Sequence, residues 1–128
     1  MKIALTNVYV PDPIAAHQFY TQVLGFASKI FMPDAYLAIV ASPDDMNGTR
    51  LLLKPNSDPM AKAYQEGLYE AGQAAIILST NDIYQEYERL KGLGVVFRKE
   101  PANTEWGIDT IFEDGFGNLV QVFQFANQ

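Results

Sequence analysis

A mostly apolar run over residues 2–10 (KIALTNVYV) stops at Pro11-Asp12-Pro13. A short run of this kind, closed by a Pro/Asp cluster, predicts a strand. Asp12 before Pro13 predicts a helix start, with an acceptor at the N-cap and a proline at the first helical position. The next stretch changes period: IAAHQFYTQVLG (14–25) puts Ile14, Phe19, Val23 and Leu24 near one helical face and ends on Gly25. FASKIFM (26–32), YLAIVAS (36–42) and TRLLLK (49–54) then read as strands, separated by Pro33-Asp34 and by a polar loop ending at Asn47-Gly48. Residues 1–55 are thus one βαβββ module. The following stretch is polar, helix-prone after Asp58-Pro59, and serves as a connector (56–71).

A second module, 72–128, follows the same plan. AAIILST (74–80) is its first strand, and a helix opens at Asn81-Asp82 with Ile83, Tyr87 and Leu90 on one stripe before Gly94. VVFRK (95–99), GIDTIFE (107–113) and NLVQVFQ (118–124) complete it, with turns at Pro101 and at residues 114–118. The modules repeat at an offset of 69 residues, which pairs Gly48 with Gly117, Leu24-Gly25 with Leu93-Gly94, Ile14 with Ile83 and Asp12 with Asn81. Two copies of one unit build a pseudo-symmetric cleft between them, so the chain reads as a single α+β domain.

Composition narrows the function classes. Nine Lys+Arg against 15 Asp+Glu give a net charge of −6, which excludes the basic footprint that nucleic acid or an anionic membrane surface requires. The absence of cysteine excludes disulfides, thiolate chemistry and Cys-ligated metals. The N-terminus has no long apolar region and no small-residue cleavage site, and no apolar run approaches the ~20 residues of a membrane span. A cytoplasmic protein is the expectation.

FYTQVLGF (19–26) and EDGFGNLVQVFQ (113–124), in this order and in this duplicated frame, resemble the vicinal oxygen chelate superfamily of glyoxalase I, bleomycin-resistance proteins and extradiol dioxygenases. The resemblance implies two βαβββ modules with mixed, curved sheets. It also implies four metal ligands, mostly His and Glu, from the first and last strands of each module. Carried over position by position, these fall on Leu5, Leu52, Ala75 (or Ala74, with a register slip of one) and Gln121. Three are hydrocarbon side chains, and one amide oxygen is a poor ligand for Zn, Fe or Ni. A single histidine, His17, rules out a two-His site within one protomer and reads as a helix-surface imidazole. No metal and no other cofactor is expected.

Alternation assigns the lining that remains. Leu51 and Leu53 turn to the helices, leaving Arg50, Leu52 and Lys54 toward the cleft. Val120 and Val122 turn to the core, leaving Leu119, Gln121 and Phe123. The first strand contributes Leu5, Asn7 and Tyr9, and the fifth Ala75, Ile77 and Ser79. An apolar lining with a few polar groups suits a small-molecule pocket. The candidate ligand-binding residues are therefore Asn7, Tyr9, Arg50, Leu52, Ala75, Ile77, Trp106, Gln121 and Phe123, with no catalytic residue assigned. Arg50 either recognises a ligand carboxylate or phosphate or pairs with a nearby acid; Lys54 reads as solvated. Trp106 either stacks on a planar ligand or packs under the connector. Glu105, Asp109 and Glu113 share a face and read as edge charges that discourage aggregation. Tyr64, Tyr69, Tyr84 and Tyr87 read as helix packing residues.

The functional expectation is a metal-free binding protein of the sequestration or resistance type, holding a hydrophobic or planar molecule in the inter-module cleft. The alternative is a glyoxalase-like lyase or dioxygenase with an atypical metal site. A homodimer is expected, because open sheet edges call for cover.

Overall fold

Both halves of the chain fold into a four-stranded mixed sheet with equivalent strand order. The structure, a computed structural model, describes residues 1–126. In the first unit, Met1–Tyr64, the elements are β1 (Leu5–Val10), α1 (Pro13–Gln18), β2 (Ala27–Met32), β3 (Leu37–Ala41) and β4 (Arg50–Pro55). β4 lies between β1 and β3, parallel to the first and antiparallel to the second, with β2 beyond β3. The division between units falls inside α2 (Pro59–Glu70). The second unit holds β5 (Ala74–Ser79), α3 (Ile83–Gly92), β6 (Ala102–Thr104), β7 (Gly107–Glu113) and β8 (Leu119–Phe125). β8 runs parallel to β5 and antiparallel to β7. A shift of 69 carries Leu5–Val10 onto Ala74–Ser79 and Arg50 onto Leu119, so the repeat is structural. The α+β fold of two βαβββ modules is as read from the sequence.

Caps account for the helix starts. The Asp12 carboxylate accepts from the amides of Ile14 (3.0 Å) and Ala15 (3.3 Å), and Asp82 accepts from the amide of Gln85 (3.1 Å). Asp58 does the same for Met60 at 2.8 Å, ahead of α2. After Gln18 the helix widens into a π-turn, Phe19–Val23. That turn overturns the expected inward face. Pro13, Ala16 and Tyr20 point inward, while Ile14 is exposed. A count at 3.6 residues per turn from Ile14 to Val23 spans a stretch whose period is not 3.6.

The second departure is VVFRK, expected as a strand. Only Phe97 pairs there, with Phe112, supported by backbone bonds from Arg98 to Ile111 and from Glu113 to Val96. The regular strand, β6, lies further on at Ala102–Thr104. Pro101 separates the two pieces because it has no N–H to carry a ladder through.

Each sheet buries one face against its helix. In the first unit Val8, Val10, Ala38, Val40, Leu51 and Leu53 meet Ala16 and Tyr20 in the core. In the second, Phe112, Val120 and Val122 are buried on the side of Ile83 and Leu90. Each buried valine, leucine, isoleucine or phenylalanine among them contributes about 1.5–3 kcal/mol relative to exposure. These opposed faces leave a second face on each sheet, and the chemistry gathers there.

Candidate functional site

In the first unit, register puts Asn7 beside Leu52, Leu52 beside Ile39, Tyr9 beside Lys54 and Leu5 beside Arg50. These residues occupy the face opposite the buried Val8, Val10, Leu51 and Leu53. A cavity of about 530 Å³ opens at the C-terminal ends of β1 and β4, lined by Asn7, Tyr9, Lys54, Asp58, Met60 and Tyr64 among others. That volume suits a small organic molecule. Tyr64 meets the Tyr9 ring edge-on, with centroids 6.1 Å apart, and Lys54 lies over the same ring at 6.0 Å. Tyr64 is exposed and serves as a cavity wall; Tyr84 is exposed as well. The packing role expected for those two tyrosines does not hold.

Arg50 is half-buried, and its Nε is out of solvent with no hydrogen-bond partner. Among the described residues it makes no ion pair, so the nearby acid considered from the sequence is not its partner.

The second unit has a different character. Gln121 lies between Ile77 and Ile111, and Phe123 between Ser79 and Asp109. Asp109 is 5 % exposed. It accepts from Lys99 Nζ at 2.5 Å and from Gln121 Nε2 at 2.8 Å. A carboxylate can only accept, so Asp109 turns the Gln121 NH₂ toward itself and leaves the amide oxygen as an outward acceptor. Thr110 Oγ1 donates to the Lys99 carbonyl at 2.7 Å, which holds that residue in place.

The sequence reading left no carboxylate on this face and took Asp109 for an edge charge; both are corrected. β7 lies between β8 and β6, so it is not an edge strand. The signal was present: a hairpin centred on Phe116 pairs 109 with 123 and 111 with 121.

Glu113 closes a second cluster on the same strand. Its carboxylate accepts from Tyr69 Oη (2.5 Å) and Arg98 Nε (3.1 Å), and Arg98 Nη2 donates to Tyr69 Oη at 3.0 Å. The tyrosine hydroxyl first, and Arg98 second, hold the Glu113 carboxyl below its ordinary 4.5. A lowered folded-state value means that the ionised form stabilises the fold above 4.5 and that this contribution is lost as pH falls through the folded value. Glu113→Gln is therefore expected to lower thermal stability at pH 7 by less than about 1 kcal/mol, because the pair is largely solvated. Melting curves of variant and parent should converge as pH falls through the folded value, which lies below 4.5; a gap that persists at still lower pH would show that the contribution is not electrostatic.

Of the remaining sequence-derived residues, Ile77 is exposed and Ala75 half-buried. Ala75 sits at a register shift, where Ala74 pairs with Leu119 and Ile76 with Val120. The shift gives Ala74, rather than Ala75, the face shared with Leu119 and Gln121. Trp106 occupies the β6–β7 turn and is 66 % exposed, so it is not packed under the connector. His17 stacks on Phe31 at 4.1 Å and shares a 2.8 Å hydrogen bond with Ser28, as a helix-surface imidazole does. Burial holds it below its ordinary 6.5.

Of the four implied ligand positions only Gln121 offers a side-chain donor atom, one neutral amide oxygen, too few for a transition metal. Leu5, Leu52, Ala74 and Ala75 carry no lone pairs, and the Gln121 amide is committed to Asp109 through its nitrogen. Asp109 is itself neutralised by Lys99. Among the described residues no group of three or more His, Cys, Asp or Glu is placed to hold an ion. The four positions do not fit the metal site that the family resemblance implies. No described helix is long and apolar enough to cross a membrane.

Comparison with known proteins agrees with this frame. The sequence profile of the Glyoxalase/Bleomycin resistance protein/Dioxygenase superfamily matches residues 2–122. An uncharacterised Bacillus subtilis (strain 168) protein, YurT, is 42% identical over 127 residues, covering 97% of this chain and 99% of its own. The structure of UcmS2 superposes with a TM-score of 0.81 over 96% of this chain and 97% of that one, at 22% identity. TnmS3, an antibiotic binding protein from Streptomyces sp. CB03234, superposes with a TM-score of 0.75 at 25% identity over 98% of this chain and 97% of that one.

Proposed function

The chain belongs to the Glyoxalase/Bleomycin resistance protein/Dioxygenase superfamily, and from that premise we propose that it is a metal-free binder of a hydrophobic or planar small molecule, of the sequestering kind. The observation that carries this reading is the chemistry of Leu5, Leu52, Ala75 and Gln121, which gives a metal-dependent lyase or dioxygenase nothing to work with. Support for binding comes from the open sheet faces. Asn7, Tyr9, Arg50 and Leu52 offer an apolar floor with a few oriented donors in one unit. Ala74, Ile77 and Gln121 do so in the other, with Trp106 exposed at the adjoining hairpin. The likeness to an antibiotic binding protein supports the same class.

The assembly proposed with it is a homodimer. Its support is the exposed apolar pair Ile30 and Met32 on β2, a strand at the edge of its sheet.

One preparation tests both statements. Elemental analysis after dialysis should find Zn, Ni, Mn and Fe well below one equivalent, and sedimentation equilibrium should give twice the chain mass. A tight stoichiometric equivalent of any of those metals would overturn the binding-only reading in favour of the lyase or dioxygenase alternative. A monomer would remove the dimer without touching the rest.

A further inference from the structure

The first unit carries a polarity that its net charge does not suggest. Among the described residues, three arginine or lysine side chains are paired: Arg89 with Glu86, Arg98 with Glu113 and Lys99 with Asp109. Arg50 and Lys54 are not among them, and both stand on the open face of β4 with Leu52 between them. The two differ. Lys54 is exposed, lies over the Tyr9 ring and shares its cavity with Asp58, so the charge of that cavity is balanced. Arg50 is half-buried, with an Nε out of solvent and without a hydrogen-bond partner among the described residues. A desolvated guanidinium N–H without a partner costs free energy that an anionic oxygen would recover.

Distance then fixes the shape of what would fit. Lys54 lies four residue steps along the strand from Arg50, roughly 13 Å at about 3.3 Å per step. The path between them runs over Leu52 and Asn7, which are register partners. At its far end the Tyr9 and Tyr64 rings make an edge-to-face pair, with Met60 beside them in the same wall. Aromatic walls favour a planar apolar body, and Arg50 favours a planar anion such as a carboxylate or sulfonate.

From this we propose that the first unit binds an elongated aromatic acid, its ring system in the Tyr9–Tyr64 cavity and its anionic end on Arg50. The inference rests on the binding function proposed above and adds the ligand's class and orientation. It runs against long-range steering, since a net charge of −6 disfavours approach of any anion. Selection therefore resides in the short-range contact at Arg50.

A matched pair of fluorescent probes tests it: 1-anilinonaphthalene-8-sulfonate and its uncharged parent, N-phenyl-1-naphthylamine. The protein is expected to bind the sulfonate about tenfold or more tightly than the parent. Arg50→Gln should weaken sulfonate binding by about the same factor and leave the uncharged probe unchanged, while Arg50→Lys should restore part of the loss. Tyr64→Ala, at an exposed wall position, should weaken both probes. Equal affinity for the two probes, or sulfonate binding indifferent to Arg50→Gln, overturns the acidic-ligand assignment while saturable binding keeps the binding function intact. Failure of both probes to saturate overturns the two together.

Discussion

Phe112→Ala is expected to destabilise the protein by about 3–5 kcal/mol, the range for truncating a buried phenylalanine. The ring is fully buried in β7 at 0 % exposure, opposite Val120 on β8. It touches Phe97 at 5.6 Å, and Phe97 in turn meets Tyr87 of α3 edge-on at 4.7 Å. This aromatic chain joins helix to sheet, and its middle member belongs to the segment that failed to become a strand. Phe97 is anchored there by its single bridge to Phe112 and by this packing. Removing the ring leaves a void that two partly fixed aromatics cannot fill, so little of the cost is recovered by collapse. Urea denaturation followed by far-UV circular dichroism should show the midpoint falling with an unchanged slope. A loss below about 1 kcal/mol would mean that Phe97 and Tyr87 close over the gap. Phe112→Leu, which keeps most of the volume, should cost far less.

Asp114→Ala has the second largest effect, about 2–4 kcal/mol, through unsatisfied donors rather than lost volume. Asp114 is 1 % exposed and opens the β7–β8 turn. Its Oδ1 accepts from the amides of Phe116 (2.7 Å) and Asn118 (3.1 Å), and its Oδ2 accepts from Asn118 Nδ2 at 2.9 Å. Gln65 braces the same turn, donating to the Phe116 carbonyl at 2.8 Å and to Asn118 Oδ1 at 3.2 Å. Gly115 and Gly117 adopt φ values of +81° and +89°, a region that suits glycine, so the backbone accepts this path without strain. Gly117 is also where an added Cβ would meet Gln65 Nε2 at 3.0 Å. Asp114→Asn retains an acceptor for the two backbone amides and is expected to cost roughly half as much. The measurement is the same denaturation series. Equal losses for Ala and Asn would shift the weight from hydrogen-bond acceptance to charge.

This turn shows how far local chemistry was legible. The Asp-Gly-Phe-Gly-Asn string announced a reversal, and the reversal sits there. Asp114, Asn118 and Gln65 tie it at both ends. Gln65 is 51 residues from Phe116, too far along the chain for any local pattern to link them. The Asp109 cluster was missed for a related reason. Asp109, Lys99 and Gln121 come from three separate segments, and only strand pairing gathers them.

By itself the sequence determined the duplicated βαβββ plan, the capped starts of α1 and α3, and the side of β1 and β4 that carries the core. All of these follow from period-two alternation, short-range capping and side-chain chemistry, which need no distant partner. Tertiary structure alone decided the rest. It turned Tyr20 rather than Ile14 inward through a π-turn, reduced VVFRK to one bridge, made Asp109 a buried partner of Lys99 and Gln121, and left the Arg50 Nε out of solvent without a partner among the described residues. Each of these depends on which segments come into register, and burial and pairing are properties of that register rather than of any residue taken alone.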